Sequence, residues 1–446
     1  MPSTKTTLRA KAPVTVSNVR TRLEATTLAG GASQIRAFCE CVGLCAIRAA
    51  LALAILSVLV LIAARPAQAA ATETVLYNFT GYPDGYSPQS SLTPLNGNLY
   101  GVTGDGGAEN LGAVFELSPN GSGGWNETLI YNFCSPSPSC ASGFAPAGVP
   151  NLIADSAGNL YGTANLGGIW TGIGWCGAVY ELSPVGSDWT ESVLYSFTDA
   201  QGDCYPADGL LMDPAGNLYG ITNNYGAGSV FELSPSGGGW TEQVIYSTPN
   251  NSGGLIMDTK GSLYGVSATT AFELSPNGNG GWNPTVIHTF AGGPKDGLNA
   301  GGNLVFDQAG NLYGTTYGGG AKNYGTVYKL SHGKKGWTEK VLYSFKGGKK
   351  DGSYPLAGIV FDAHGNIYGT TSAGGGKLND GTVFELVASG TKYQEKVLWS
   401  FDGTHGSHPW DSLILDNLGN LYGTAIGGGS SGNCSGGCGV VFEVTP

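Results

Sequence analysis

Three short motifs recur in fixed order along this chain, seven times each, and no other feature restricts its fold so tightly. The first is Gly97-Asn98-Leu99-Tyr100-Gly101, whose tyrosine returns at Tyr161, Tyr219, Tyr264, Tyr313, Tyr368 and Tyr422, 45 to 61 residues apart. A VFEL-like segment follows each copy, centred on Phe115, Tyr180, Phe231, Phe272, Tyr328, Phe384 and Phe442. A VLYSF-like segment, usually preceded by WxE, has its central aromatic at Tyr77, Tyr131, Tyr195, Tyr246, His288, Tyr343 and Trp399. In the sixth unit, GIVFD, NIYGTT, TVFEL and EKVLWSF read as strands a, b, c and d, separated by turn residues. Four short strands per unit at this period predict an all-β fold, a β-propeller of four-stranded antiparallel blades.

The phase of the repeat predicts how the ring closes. TETVLYNF, at the start of the repeat region, is a d strand without its own a, b and c; VVFEVTP, at the end, is a c strand without its d. Pairing the first segment with the last gives seven complete blades. The D-x-x-G-N segments, such as Asp155 to Asn159, read as a–b turns in which Asp bonds the backbone two residues on and Gly takes a positive φ. Leu and Tyr of the first motif are expected on opposite blade faces, and its final Gly to allow close approach between blades.

Residues 1–69 have another character. An uncharged apolar run of 16 residues, 49–64, follows seven basic residues and precedes Ala67-Gln68-Ala69. This pattern predicts an export signal cut near Ala69; the other reading is an uncleaved membrane anchor, although a spanning helix wants ~20 apolar residues. The propeller is then expected over 70–446. That part carries 13 Lys+Arg and 30 Asp+Glu, obtained from 21 − 8 and 32 − 2, a net charge of −17. It has no arginine, so nucleic acid and anionic membranes are not expected partners. The lysine cluster of residues 334–350 reads as a solvated edge.

Six of the nine cysteines lie after residue 69. Cys134–Cys140 and Cys434–Cys438 are each close enough to close a small loop, which leaves Cys176–Cys204; six cysteines allow fifteen pairings, and this one is taken as the expectation. No Cys/His spacing supports zinc.

With these residues in view, the run GNLYGTT, GTVFELSP, WxE and VLYSF resembles the GloVer tandem repeat of bacterial exported proteins, named for Gloeobacter and Verrucomicrobia, over roughly residues 73–446. The resemblance implies export, a propeller-like array and attachment to the surface through terminal anchors. It brings no catalytic residues. The fourth unit is the most divergent: GSLYG stands for GNLYG, the b–c loop nearly vanishes, and His288 replaces the strand-d tyrosine.

In a propeller, the d–a and b–c loops emerge on one face, and all six cysteines fall in them. The same face carries a DGxxP element at Asp84, Asp351, Asp296 (without proline) and, degenerately, Asp203. Tyr86, Tyr205 and Tyr354 stand near the prolines. Trp170, Trp175 and Trp410 lie outside the repeat pattern. Aromatics and carboxylates at a rim suit sugar rings or peptides, so these ten residues are the candidate ligand contacts. The rim aspartates could instead form the acid/base pair of a polysaccharide hydrolase or lyase. His405 and His408 with Asp411 are a weak metal set, and His288, His332 and His364 give no second cluster. Gly374 to Lys377 lacks the spacing of a phosphate loop.

The expected role is therefore a binding module for glycan or peptide, secreted, periplasmic or at the surface of a bacterium. It needs no cofactor and is expected to be a monomer. A polysaccharide enzyme and a purely structural surface protein are the alternatives.

Overall fold

The computed structural model describes residues 70–134, 140, 151–170, 174–198, 203–224, 226–248, 252–390 and 392–446. The expected signal or anchor at 1–69 lies outside the described residues. Ala69–Pro446 form one compact unit.

Seven four-stranded antiparallel blades form the propeller. Strands a to d of blade 1 are Thr93–Leu95, Asn98–Gly106, Ala113–Pro119 and Trp125–Asn132; those of blade 2 are Ile153–Ala154, Leu160–Ala164, Ala178–Val185 and Asp188–Ser196. Blade 3 has Pro206–Met212, Leu218–Asn224, Ala227–Ser236 and Gly239–Thr248, and blade 4 has Ile256–Met257, Leu263–Val266, Thr270–Pro276 and Trp282–Thr289. Blade 5 has Gly297–Phe306, Leu312–Gly319, Thr326–Gly333 and Gly336–Ser344, and blade 6 has Val360–Phe361, Ile367–Thr371, Thr382–Ser389 and Lys392–Ser400. Blade 7 takes a, b and c from Ile414–Leu415, Leu421–Ala425 and Val440–Thr445, and d from Thr72–Asn78. The seam is the expected one: Thr72 pairs with Thr445, Val75 with Phe442 and Asn78 with Val440.

One bulge recurs in every c–d ladder. It leaves Leu76, Ile130, Leu194, Ile245, Ile287, Leu342 and Leu398 without a cross-strand partner. An extra residue at this point bends the outer strand and re-aims the side chains after it.

The core consists of seven apolar clusters, one at each junction between blades. Leu99 packs with Val441 of blade 7, whereas its neighbour Tyr100 packs with Leu152 and Leu160 of blade 2. Adjacent strand residues face opposite ways, so Leu-Tyr serves both junctions of one blade. Aromatic rings connect the clusters. Phe79, Phe133, Phe197, Tyr246, Phe290, Phe345 and Phe401 each meet the strand-c ring of the next blade at centroid distances of 5.0–5.4 Å. Six of the seven meet edge to face, the geometry that the ring quadrupole favours.

The Gly after Tyr in the first motif has a role other than the expected one. It sits opposite the strand-c aromatic in the b–c ladder, as Gly101 does opposite Phe115 and Gly369 opposite Phe384. A Cβ there would lie 2.4–2.8 Å from that residue's ring or hydroxyl in all seven blades. The glycine makes room for a ring of its own blade.

The D-x-x-G-N turns behave as read. Asp155 Oδ1 accepts from the backbone N–H of Ala157 and Asn159, and its Oδ2 accepts from Asn159 Nδ2 and Tyr161 Oη. In blade 5, Lys329 replaces the strand-c glutamate and pairs with Asp307 at 3.3 Å. Burial opposes ionisation of Asp307, but hydrogen bonds from Asn311, Tyr313 and Ala309 outweigh it and hold the carboxyl down at about 2. Threonines after the first motif tie blades together around the channel, as in Thr163 Oγ1 to the Asp208 carbonyl at 3.0 Å and Thr424 Oγ1 to the Ser90 carbonyl at 3.1 Å across the seam.

Two predictions follow from the ring packing. Gly369→Ala is expected to lower stability by about 1–3 kcal/mol, the usual cost of overpacking, whereas Gly432→Ala, with open space at its Cβ, changes it by less than ~0.5 kcal/mol; denaturant titration measures both. Tyr328 is fully buried and its hydroxyl has no hydrogen-bond partner among the described residues. Five blades use Phe there, so Tyr328→Phe is expected to stabilise by roughly 1 kcal/mol, read as a higher melting temperature.

Candidate functional site

The DGxxP element positions the loop-rich face. Its Gly opens the inner strand, with Gly85 pairing Gly106, Gly297 pairing Gly319 and Gly352 pairing Gly374. The residue before the proline, or its equivalent, takes a left-handed conformation: Ser87, Tyr205, Asn299, Tyr354 and His408 have φ of 52–63°. In four of them the backbone N–H turns back onto a b–c loop carbonyl of the preceding blade: Ser87 to Cys438, Tyr205 to Cys176, Tyr354 to Tyr324 and His408 to Asp380. The face is therefore a rigid collar.

The candidate aspartates sit behind this collar, at the junctions. Asp84 Oδ2 accepts from Tyr77 Oη at 3.1 Å and from Thr80 N at 2.8 Å, and Asp351 Oδ2 accepts from Tyr343 Oη at 2.7 Å. Asp203 is buried near Tyr195. Asp296 faces His288 at 3.2 Å. Every junction but 3–4, where Pro284 stands at the position, also receives a glutamate from strand d of the next blade. Burial pushes Glu73, Glu127, Glu191, Glu242, Glu339 and Glu395 up to about 7, and for all but Glu191 a nearby aspartate adds to the rise. No composition argument singled out these glutamates, because WxE read as a repeat mark. Their depth appears only when the blades are stacked.

The candidate aromatics are distributed over several sites. Trp170 and Trp175 form a β-bridge in the blade 2 b–c loop and pack edge to face at 5.2 Å, with Trp170 more than half exposed. Tyr354 stacks on Tyr317 at 4.7 Å and 23°. Tyr86 packs in the cluster at the 7–1 junction and Tyr205 in that at the 2–3 junction. Trp410 stands at the channel mouth. There it lines a cavity of about 410 Å³ with Tyr317, Leu356, Pro355, Asn299 and Ser252. Tyr317, Leu356, Asn299 and Ser252 carried no sequence signal, because each belongs to a different segment and none is a fixed residue of a recurring motif.

A smaller space of about 30 Å³ shares Trp410, Leu356 and Ser252 with that cavity and is lined further by Asp208, Asn303, Asp411 and Ser412. Asp411 Oδ1 accepts from Ser91 Oγ and Ser412 N. Burial raises Asp208 to about 7; burial, with the charge of Asp208 nearby, raises Asp411 to about 8.

The three expected disulfides are present: Cys134–Cys140, Cys176–Cys204 and Cys434–Cys438. Cys176–Cys204 ties the blade 2 b–c loop to the segment entering blade 3. His405, His408 and Asp411 do not converge. His405 Nδ1 lies 3.0 Å from Asp402, and Asp411 is buried beside Ser91. The reading that found no second histidine cluster is corrected: His288, Asp296 and Glu339 come together, the one such group of three among the described residues. Asp296 is eight residues from His288, but Glu339 arrives from the next blade.

Residues 266–446 match the Gloeobacter/Verrucomicrobia repeat. That part of the chain is of this repeat family. Blades 1 to 3 lie outside the matched span and have the same four-strand order. No curated protein sequence matches the chain. Among solved structures it is similar to virginiamycin B lyase from Staphylococcus aureus, with a TM-score of 0.53 and 12% identity over 84% of this chain and 99% of the other. A catalytically inactive form of that lyase with Quinupristin gives a TM-score of 0.52 at 12% identity, over the same shares of the two chains. At this identity the likeness is one of fold.

The carboxyls make stability depend on pH in a defined sense. For the six glutamates, the folded value of about 7 lies above the ordinary 4.5, so their contribution is complete below pH 4.5 and is lost as pH rises through 7. Asp155, Asp307, Asp362 and Asp416 are shifted down, so theirs holds above the ordinary 3.8 and is lost only as pH falls through the lowered values. The melting temperature is expected to fall between pH 5 and 7.5, and Glu395→Gln to flatten that fall; calorimetry across the range measures it.

Proposed function

We propose that this GloVer-repeat protein is an exported binding module whose ligand rests a ring or an apolar side chain against Trp410 and Tyr317 at the channel mouth. The observation that carries the proposal is the 410 Å³ cavity there, walled by Trp410, Tyr317, Leu356 and Pro355 and bearing few polar side chains. Concave, largely apolar sites with a small number of polar groups are the usual form of a ligand pocket. The collar beneath it is held by backbone bonds between blades and stapled by disulfides, so little ordering is needed on binding. Between the two expected ligand classes, the lining favours a peptide, since a sugar's many hydroxyls would find few partners beyond Ser252 and Asn299. Disulfides fit an oxidising compartment outside the cytosol.

Peptide and glycan arrays probed with the purified protein identify a ligand. Trp410→Ala is then expected to weaken binding by about 2 kcal/mol, roughly 30-fold, and Tyr317→Ala by a smaller factor. Unchanged affinity in both variants would remove the channel-mouth reading.

A further inference from the structure

Several blade junctions repeat one arrangement, which 3–4 lacks because Pro284 replaces the glutamate and which 6–7 varies with Trp399. Where the outer strand of a blade meets the next, its central aromatic faces a collar aspartate and the incoming glutamate. At the 7–1 junction these are Tyr77, Asp84 and Glu127. At the 5–6 junction they are Tyr343, Asp351 and Glu395, and Lys346 adds a cation 3.7 Å from Asp351. A phenol donates a hydrogen bond to the aspartate and remains neutral. At the 4–5 junction the corresponding residue is His288, whose imidazole offers a nitrogen lone pair instead.

The geometry points to a binding site for a divalent first-row transition ion, such as Zn²⁺, formed by His288, Asp296 and Glu339. One ligand atom from each, the imidazole nitrogen and two carboxylate oxygens, lies within 4.8 Å of the others. Asp296 is oriented by the backbone N–H of Ala291, which donates to Oδ2 at 2.7 Å and leaves Oδ1 toward His288 Nε2 at 3.2 Å. Glu339 Oε1 is buried and has no hydrogen-bond partner among the described residues. A buried oxygen without a partner is costly, and a cation between the three groups would satisfy it. One nitrogen and two oxygens suit a borderline ion that accepts imidazole and carboxylate together. The side chains of His288 and Asp296 are 19% and 20% exposed, so solvent can complete the coordination. This site is separate from the channel mouth and does not depend on the ligand proposed there.

The test is calorimetric titration of EDTA-treated protein with Zn²⁺, compared with His288→Tyr. That variant restores the side chain found at the 5–6 and 7–1 junctions, so the fold is retained. One equivalent is expected to bind the unmodified protein and to raise its melting temperature. His288→Tyr is expected to lose more than the ~10–100-fold that removal of an outer partner costs, with the metal-free melting temperature kept. Glu339→Gln supplies a second reading should His288→Tyr fold poorly, and it is expected to weaken binding likewise. Absence of saturable binding, or equal binding in the protein and the folded variants, overturns the proposal.

Discussion

The propeller depends on one contact made seven times: an aromatic ring of strand c lying over a glycine of strand b, with a ring from the preceding blade against its edge. The glycine removes the only atom that would hold the ring away from its own sheet. The ring then fills the space between blades, and its neighbour fixes the approach. Because seven such contacts close on themselves, each junction is defined by the two beside it. The repeated bulge belongs to the same device, since it turns the outer strand so that its Phe reaches the next blade. In blade 3, Thr248 stands where the other blades have Phe, and the central Tyr246 meets Phe272 instead, at a tilt.

A frame so uniform confines variety to places where it does not disturb the rings. The junction carboxyls show what this permits. Six glutamates are drawn in with the outer strand, and they are partly shielded from water whether or not a cation is at hand. Lys346 meets this at one junction. His288 meets it at another, by other chemistry. The channel mouth is the second place of variety, where residues following each inner turn differ from blade to blade: Gln89, Gly301, Leu356 and Trp410.

The blades, the seam and the aspartate turns were legible in the sequence because each depends on local spacing and recurs. The cysteine pairs were legible because their loops are short or because one pair remained. The glycine of the first motif was misassigned for a physical reason. Its partner is set by the register of strands b and c, and register is not a local property. The channel-mouth pocket was half visible: Trp410 stood out as a tryptophan off the pattern, but Tyr317 and Leu356 did not. His288 was noticed as a replacement, yet its meaning depended on Glu339, 51 residues on in the next blade.

The seam has a temporal side. Thr72–Asn78 emerges first among the ordered strands and finds its partner only in Val440–Thr445. Six blades can therefore assemble as synthesis proceeds, while the first strand waits unmated at the rim of a growing arc. The last segment to arrive locks the circle, so cooperativity is conferred late and all at once. A chain halted before it would be a crescent with two bare flanks, the form most open to proteolysis and to joining with its own kind.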